Sequence, residues 1–228
     1  MENTKTLKIG TATIGKRSFL LLLFHLLVCN TIFAQTAKDV FGNSETQVLY
    51  LGIDFTKAKI IGEHVNEFDI RGKYYPGVND VIIAEPKKYE LKSAFHKSFI
   101  DHDLGEVNVR NSKINAEDII STNTADFHRL QNSDIESLVR GFDFGDKKGV
   151  GLLFVAEAFS KVEKSTAVWV TLVDMRSKKV LMTERMQGKA GGFGLRNTIA
   201  ASIKNIIEEI EKTKYQQWKE KFVNPSLK

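Results

Sequence analysis

Residues 150–159 and 166–174 are two near-continuous apolar runs, and they limit the fold more than anything else in the sequence. A strand with one wet face alternates apolar and polar residues, whereas a strand covered on both faces is apolar throughout. In the second run Val168, Val170 and Leu172 alternate with Trp169, Thr171 and Val173, so both faces are expected to be buried. Met175 to Lys179 then reads as a turn, and residues 180–186 as a returning strand. A glycine-rich segment, 188–194, precedes a long helix. Its Ile199, Ile203, Ile206, Ile207, Ile210 and Lys214 or Tyr215, then Trp218 and Phe222, are spaced three or four apart, with Lys204, Glu208, Glu209, Glu211 and Lys212 on the other side. The expected fold is α/β: a mixed sheet of about five strands covered by helices, with a C-terminal β-hairpin followed by a long amphipathic helix.

The first half is less regular. Residues 47–61 are rich in branched and aromatic side chains and read as an early strand. Residues 62–77 read as irregular, with Gly72 and Pro76-Gly77 as breakers. Pro86 suits the first turn of a helix whose inner face would be Tyr89, Leu91, Ala94, Phe95 and Phe99. Asn115 is placed to cap a helix over 116–122, with Ile114 and Ile119 as its hydrophobic staple. Ser133 and Glu136 form a capping box for a helix with Leu138, Val139 and Phe142 inward. With no repeat, no Pro/Ser-rich linker and only three prolines, one domain over 35–228 with its core at about 45–215 is expected.

The amino terminus reads as an export signal. Lys5, Lys8, Lys16 and Arg17 make a basic start, an apolar run follows, and the stretch ends at Ala34-Gln35. A membrane anchor needs ~20 apolar residues, and here Asn30 and Thr31 interrupt a shorter core. The expected mature chain therefore starts at Gln35, periplasmic or secreted, touching a membrane only through an uncleaved leader. Cys29 follows a branched valine, Val28, which suits the interior of a leader better than a lipidation site. It is the only cysteine, so the mature chain would have no disulfide, thiolate metal site or cysteine nucleophile.

Of the 33 basic and 28 acidic residues, positions 1–34 hold four basic residues and Glu2; the rest carry 29 against 27, or +2. Lys87-Lys88, Lys147-Lys148 and Lys178-Lys179 are scattered pairs, and no concentrated basic stretch marks a nucleic-acid partner.

Gly191, Gly192 and Gly194, with Arg196 beside them, lie between a strand and a helix. Bare amides at a helix start can hold an anion or a partner; equally, glycines there can serve only a tight turn. The dinucleotide fingerprint that begins at Gly192 breaks at Asn197. Trp218 and Phe222 at the helix end are candidates to anchor a partner. His96, Asp101, His102 and Asp103 carry metal-ligand and acid–base chemistry. The six-residue spacing of the histidines does not put both on one helical face. No cofactor motif, no metal motif and no nucleophile motif is present, so no catalytic residue, metal ligand or cofactor is assigned.

The stretch Ala167-Val168-Trp169-Val170-Thr171-Leu172-Val173-Asp174-Met175-Arg176-Ser177-Lys178-Lys179-Val180-Leu181, followed by a glycine-rich turn and a long helix, resembles part of a known envelope fold. It is similar to the family containing the TolB amino-terminal domain, the curli-secretion lipoprotein CsgG and the penicillin-binding-protein activator LpoB. The leader ending Phe-Ala-Gln and the Ala190–Asn197 run also look like secreted proteins of the Bacteroidetes. Both resemblances imply a non-enzymatic envelope or periplasmic domain that binds a protein or peptide partner. The alternative is a hydrolase or metal-dependent enzyme using His96, Asp101, His102 and Asp103.

Overall fold

Thr36 starts the first helix, α1 (Ala37–Gly42), by a reciprocal cap: its hydroxyl accepts from the Asp39 amide, and the Asp39 carboxylate accepts from the Thr36 amide. The computed structural model describes residues 35–225; the leader, Ala34 and Cys29 lie outside the described residues. Strand β1 (Val48–Asp54) ends in a turn closed by the Ala58 amide on the Phe55 carbonyl, and β2 (Lys59–Ile61) resumes the same direction. The early strand expected over 47–61 is thus two pieces laid end to end.

Residues 62–66 are irregular as expected, but the rest of the segment, from Glu67, is helical. Asn66 caps α2 (Glu67–Asp69), which runs through a π turn (Ile70–Tyr74) into α3 (Tyr75–Ala84). Pro76 has no amide to donate, and its ring crowds the carbonyl four residues back. The wider turn, in which the Tyr75 amide reaches the Ile70 carbonyl, absorbs the proline without a break. The helix expected from Pro86 shrinks to α4 (Leu91–Ala94), because His96 takes a left-handed backbone (φ 47°) and ends it. Beyond lie β3 (Ile100–His102) and α5 (Gly105–Ser112).

Asn115 opens only a 3-10 turn (Ala116–Asp118): its side-chain amide goes to the Asp118 carboxylate. Pairing takes the next residues away from the helix, with the Ile119 carbonyl accepting from Ile60 and β4 (Ile120–Ser121) lying beside β2. Helix α6 (Asn132–Arg140) opens at Gln131 rather than Ser133, and Asp134, not Glu136, accepts from the opening amide (2.8 Å). Leu138, Val139 and Phe142 are buried as expected. The last third follows the sequence closely: β5 (Val150–Ser160), β6 (Ser165–Asp174), β7 (Lys179–Lys189), then α7 (Leu195–Glu209), a π turn (Ile210–Lys214) and α8 (Tyr215–Val223).

Among the described residues, seven strands make one mixed sheet. β1 and then β2 run parallel along the same edge of β5; β3 and β4 flank them outside, and β6 and β7 continue the sheet antiparallel on the other side. Val168, Val170 and Leu172 pack on one face with Ile199, Ile203 and Ile206 of α7. Trp169 and Val173 pack on the other with Leu138, Val139 and Phe142. Both faces of β6 are covered, which is why its sequence is apolar throughout.

Two local features set how closely these layers meet. At Gly188 of β7, a β-carbon would fall 1.9 Å from the Ser202 carbonyl oxygen of α7, so only glycine lets helix and strand approach this far. In β5 the register slips between Ala156 and Ala158, leaving Glu157 unpaired at a bulge. Its carboxylate, fully buried, accepts from the Leu130 amide (2.7 Å), the Trp169 indole (3.3 Å) and Arg185 Nε (2.6 Å).

Candidate functional site

A cavity of about 760 Å³ opens beside the edge strand β3. Three elements wall it: the end of α3 with Ile82 and Ile83, the chain from Pro86 through α4, and β3 itself. Pro86 prevents α3 from continuing, and the amides of Lys88 and Tyr89 fold back onto the Glu85 carbonyl. That turn swings α4 away from α3 and leaves the gap. Tyr50, Tyr89, Leu91 and Ile100 give the cavity an apolar lining, and Lys87, Glu90, Lys92, Asp101, His102 and Glu211 give it charged groups of both signs. A volume of this size, lined by apolar and charged side chains together, suits a small molecule or one or two peptide side chains.

Tyr50 is the informative residue in this lining. It is fully buried, its ring lies edge-on to Phe154 (centroids 5.8 Å), and its hydroxyl makes no hydrogen bond within the described residues. Burial holds that hydroxyl's pKa far above the ordinary phenol value. A buried hydroxyl without a partner costs about 1–3 kcal/mol.

Lys97 closes the back. Its ammonium donates to the carbonyls of Val40 and Asn43, tying the cavity to the loop after α1. Burial lowers its pKa to about 8, against an opposing pull from Glu45.

Of the sequence candidates, His96, Asp101 and His102 line this cavity, and Asp103 does not. Asp103 instead accepts from the Gly105 amide (2.8 Å) and pairs with Lys147 (3.1 Å), which together hold its pKa below the ordinary value. The His96 ring stacks on Tyr215 (centroids 3.9 Å). Asp101 accepts from the His102 backbone amide (2.8 Å), so its carboxylate is occupied locally. No imidazole of the described residues hydrogen-bonds a carboxylate, and none of their His, Cys, Asp and Glu side chains form a group of three placed for a metal ion.

Gly191, Gly192 and Gly194 lie elsewhere, lining a smaller cleft of about 360 Å³ with Lys161, Lys164 and Thr198. Gly192 and Gly194 have φ of 81° and 82°, the left-handed region that glycine enters freely; Gly191 does not. Backbone geometry therefore accounts for two of the three. Arg196 turns away from this cleft and donates from Nε to the Gly77 carbonyl of α3 (3.0 Å), pinning α7 to α3. Trp218 is buried and Phe222 half-buried, both against Phe41 of α1 (centroids 5.8 and 5.6 Å). Trp218 Nε1 also donates to Glu184 (2.5 Å). These two aromatics fasten α8 to α1 and share no cleft with the glycines.

Two residues of interest were not singled out in the sequence. Tyr50 sits in an apolar strand with nothing to mark its hydroxyl as orphaned. Phe193, at the tip of the glycine turn, is 95% exposed; the flanking glycines were the only available signal. No family model and no curated protein sequence matches the chain.

Proposed function

We propose that the protein is an exported, non-enzymatic domain of the cell envelope that binds a protein partner by taking a peptide segment into the cavity between α3, α4 and β3. One observation carries this reading: a buried, unpartnered Tyr50 hydroxyl in an apolar cavity whose charged groups are of both signs. Apolar side chains of a peptide suit the lining, and its polar backbone suits the hydroxyl. Lys87 and Lys92 against Glu90, Asp101 and Glu211 fit a peptide's mixed charges better than they fit a polyanion. The leader supports export, and the strand–turn–strand–helix order from Ser165 to Glu209 supports kinship with the TolB, CsgG and LpoB envelope domains.

The test is affinity capture with immobilised protein from Gln35 onward and solubilised envelope from its own cells. Ile83→Ser with Lys92→Glu changes one half-buried and one exposed cavity residue. It should deplete the recovered partner about tenfold or more, as removal of an anchor does; equal recovery contradicts the proposal.

A hydrolase is a second candidate, because His96, Asp101 and His102 line the same cavity. Turnover of a panel of ester and amide substrates, lost in His102→Ala, would favour it; a panel without turnover would count against it.

A further inference from the structure

We infer that a second cleft, at the carboxyl end of β1, binds a small molecule bearing a tetrahedral oxyanion, a phosphate or sulfate group. The cleft, about 630 Å³, shares no lining residue with the cavity beside β3. Crevices beyond the carboxyl ends of parallel strands are where α/β sheets bind ligands, because loops there diverge. Here the β1–β2 turn, the end of α5, the 3-10 turn after Asn115 and the segment before α6 surround such a crevice.

Its charge is unbalanced. Lys57, Lys59, Arg110, Lys113 and Arg129 line it, against Glu106 and Asp118. Only Arg110 has a carboxylate partner among the described residues, the buried Asp54 (2.6 Å). Counting Asp54, five cations face three carboxylates, an excess of two positive charges. Two of the carboxylates are also partly used: Glu106 accepts from the Asp143 amide (3.3 Å) and Asp118 from the Asn115 side chain (3.0 Å).

Part of this charge has another role. Arg110 and Lys113 sit at the carboxyl end of α5, where cations complement the helix dipole. Lys57, Lys59 and Arg129 come from other segments, and the eight-residue α5 does not explain them.

Arg129 shows the most. One guanidinium nitrogen donates to the Lys57 carbonyl, while Nε is buried with no hydrogen-bond partner among the described residues. With one nitrogen anchored, the guanidinium is held at the cleft wall, and its other terminal N–H groups suit an oxyanion, which takes two donors of the fork at once. The Lys59 ammonium, bonded among the described residues only to the Asp118 carbonyl, still has donors to give. The cleft's volume is that of a small-molecule site, so the expected ligand is compact rather than a long polymer.

The sequence hid this arrangement. Its five cations lie between positions 57 and 129 in separate segments, with none of the runs that mark a basic face.

The test is calorimetric titration of the protein from Gln35 onward with inorganic pyrophosphate, and separately with sulfate, at ionic strength held constant with chloride. Saturable binding is expected. Lys57→Gln with Lys113→Gln, both exposed and without ion pairs among the described residues, should weaken it about tenfold or more. Lys178→Gln, remote from the cleft, should leave it unchanged. Retained thermal stability in the double variant would show that the loss is not unfolding. The inference is overturned by no saturable binding, by equal weakening in Lys178→Gln, or by binding of a single-stranded oligonucleotide without binding of pyrophosphate.

Discussion

Glu157 offers a sharp test of what holds the sheet and its second face together. Replacing it with Ala removes the acceptor of three donors: the Leu130 amide, the Trp169 indole and Arg185 Nε. Arg185 is one-fifth exposed and keeps only the Phe127 carbonyl (2.5 Å) as partner. Removing one member of a buried ion pair costs about 3–5 kcal/mol, which already includes leaving the partner's charge unpaired. Against a total stability of about 5–15 kcal/mol that is a large share, and it corresponds to a fall in Tm on the order of 10 °C. Glu157→Gln keeps one acceptor oxygen and should cost less, about 1.5–3 kcal/mol. Removing both charges with Glu157→Met and Arg185→Met should cost clearly less than the two single changes added together. The Leu130 amide would still be orphaned, at about 1–3 kcal/mol. Urea denaturation of the parent, the Glu157→Met and Arg185→Met single variants and the double variant gives the cycle directly, with Glu157→Ala and Glu157→Gln measured beside them. A loss below about 1 kcal/mol for Glu157→Ala, or strictly additive single changes, would show that the bulge carries no coupled network.

Three further outcomes follow from the same geometry. Tyr50→Phe and Tyr75→Phe each delete a fully buried hydroxyl without a hydrogen bond, so both should keep or raise thermal stability by up to about 1–3 kcal/mol; only Tyr50→Phe should weaken partner capture. Gly188→Ala should cost about 1–3 kcal/mol or more by forcing α7 off β7, and Gly194→Ala about 1–3 kcal/mol through its backbone alone, since its surroundings are open; thermal melts of both check this. Burial opposes ionisation of Glu184, but hydrogen bonds from Lys214 and Trp218 outweigh it and hold the folded pKa below 4.5. The unfolded chain then takes up the proton more readily, so this contribution is present above pH 4.5 and lost as pH falls below it. Glu184→Gln should flatten the acid limb of a stability–pH curve.

The carboxy-terminal third was legible because its signals are local and agree with one another. Strands apolar on both faces, a short polar turn and a helix of period 3.6 leave one arrangement, and β5, β6, β7 and α7 follow it. The first half departs from its local signals where non-local pairing or backbone adjustment won. Pro76 marked a break that the π turn removed, and Asn115 marked a helix that the pairing of β2 with β4 displaced. The helix expected from Pro86 was cut short at His96, beside the cavity that the Pro86 turn opens. His96, Asp101 and His102 were close enough in sequence to be seen together. Tyr50, Ile83 and Glu211 come from distant segments, and only the fold places them at one cavity. The same holds for Arg110 and Arg129 in the basic cleft. Trp218 and Phe222 had the right chemistry for an anchor, but the helix face they share with Tyr215 is spent on Phe41.

Site-specific photo-crosslinking in the living cell tests the central claim most directly, because it records what touches each surface in place. A photoreactive residue at Ile83 or Ile100 in the cavity wall should give a discrete adduct with an envelope protein. The same residue at Phe193 on the glycine turn, or at Lys178 in the β6–β7 turn, should give none. Adducts at Phe193 with none at Ile83 and Ile100 would move the partner's site to the glycine turn and contradict the account.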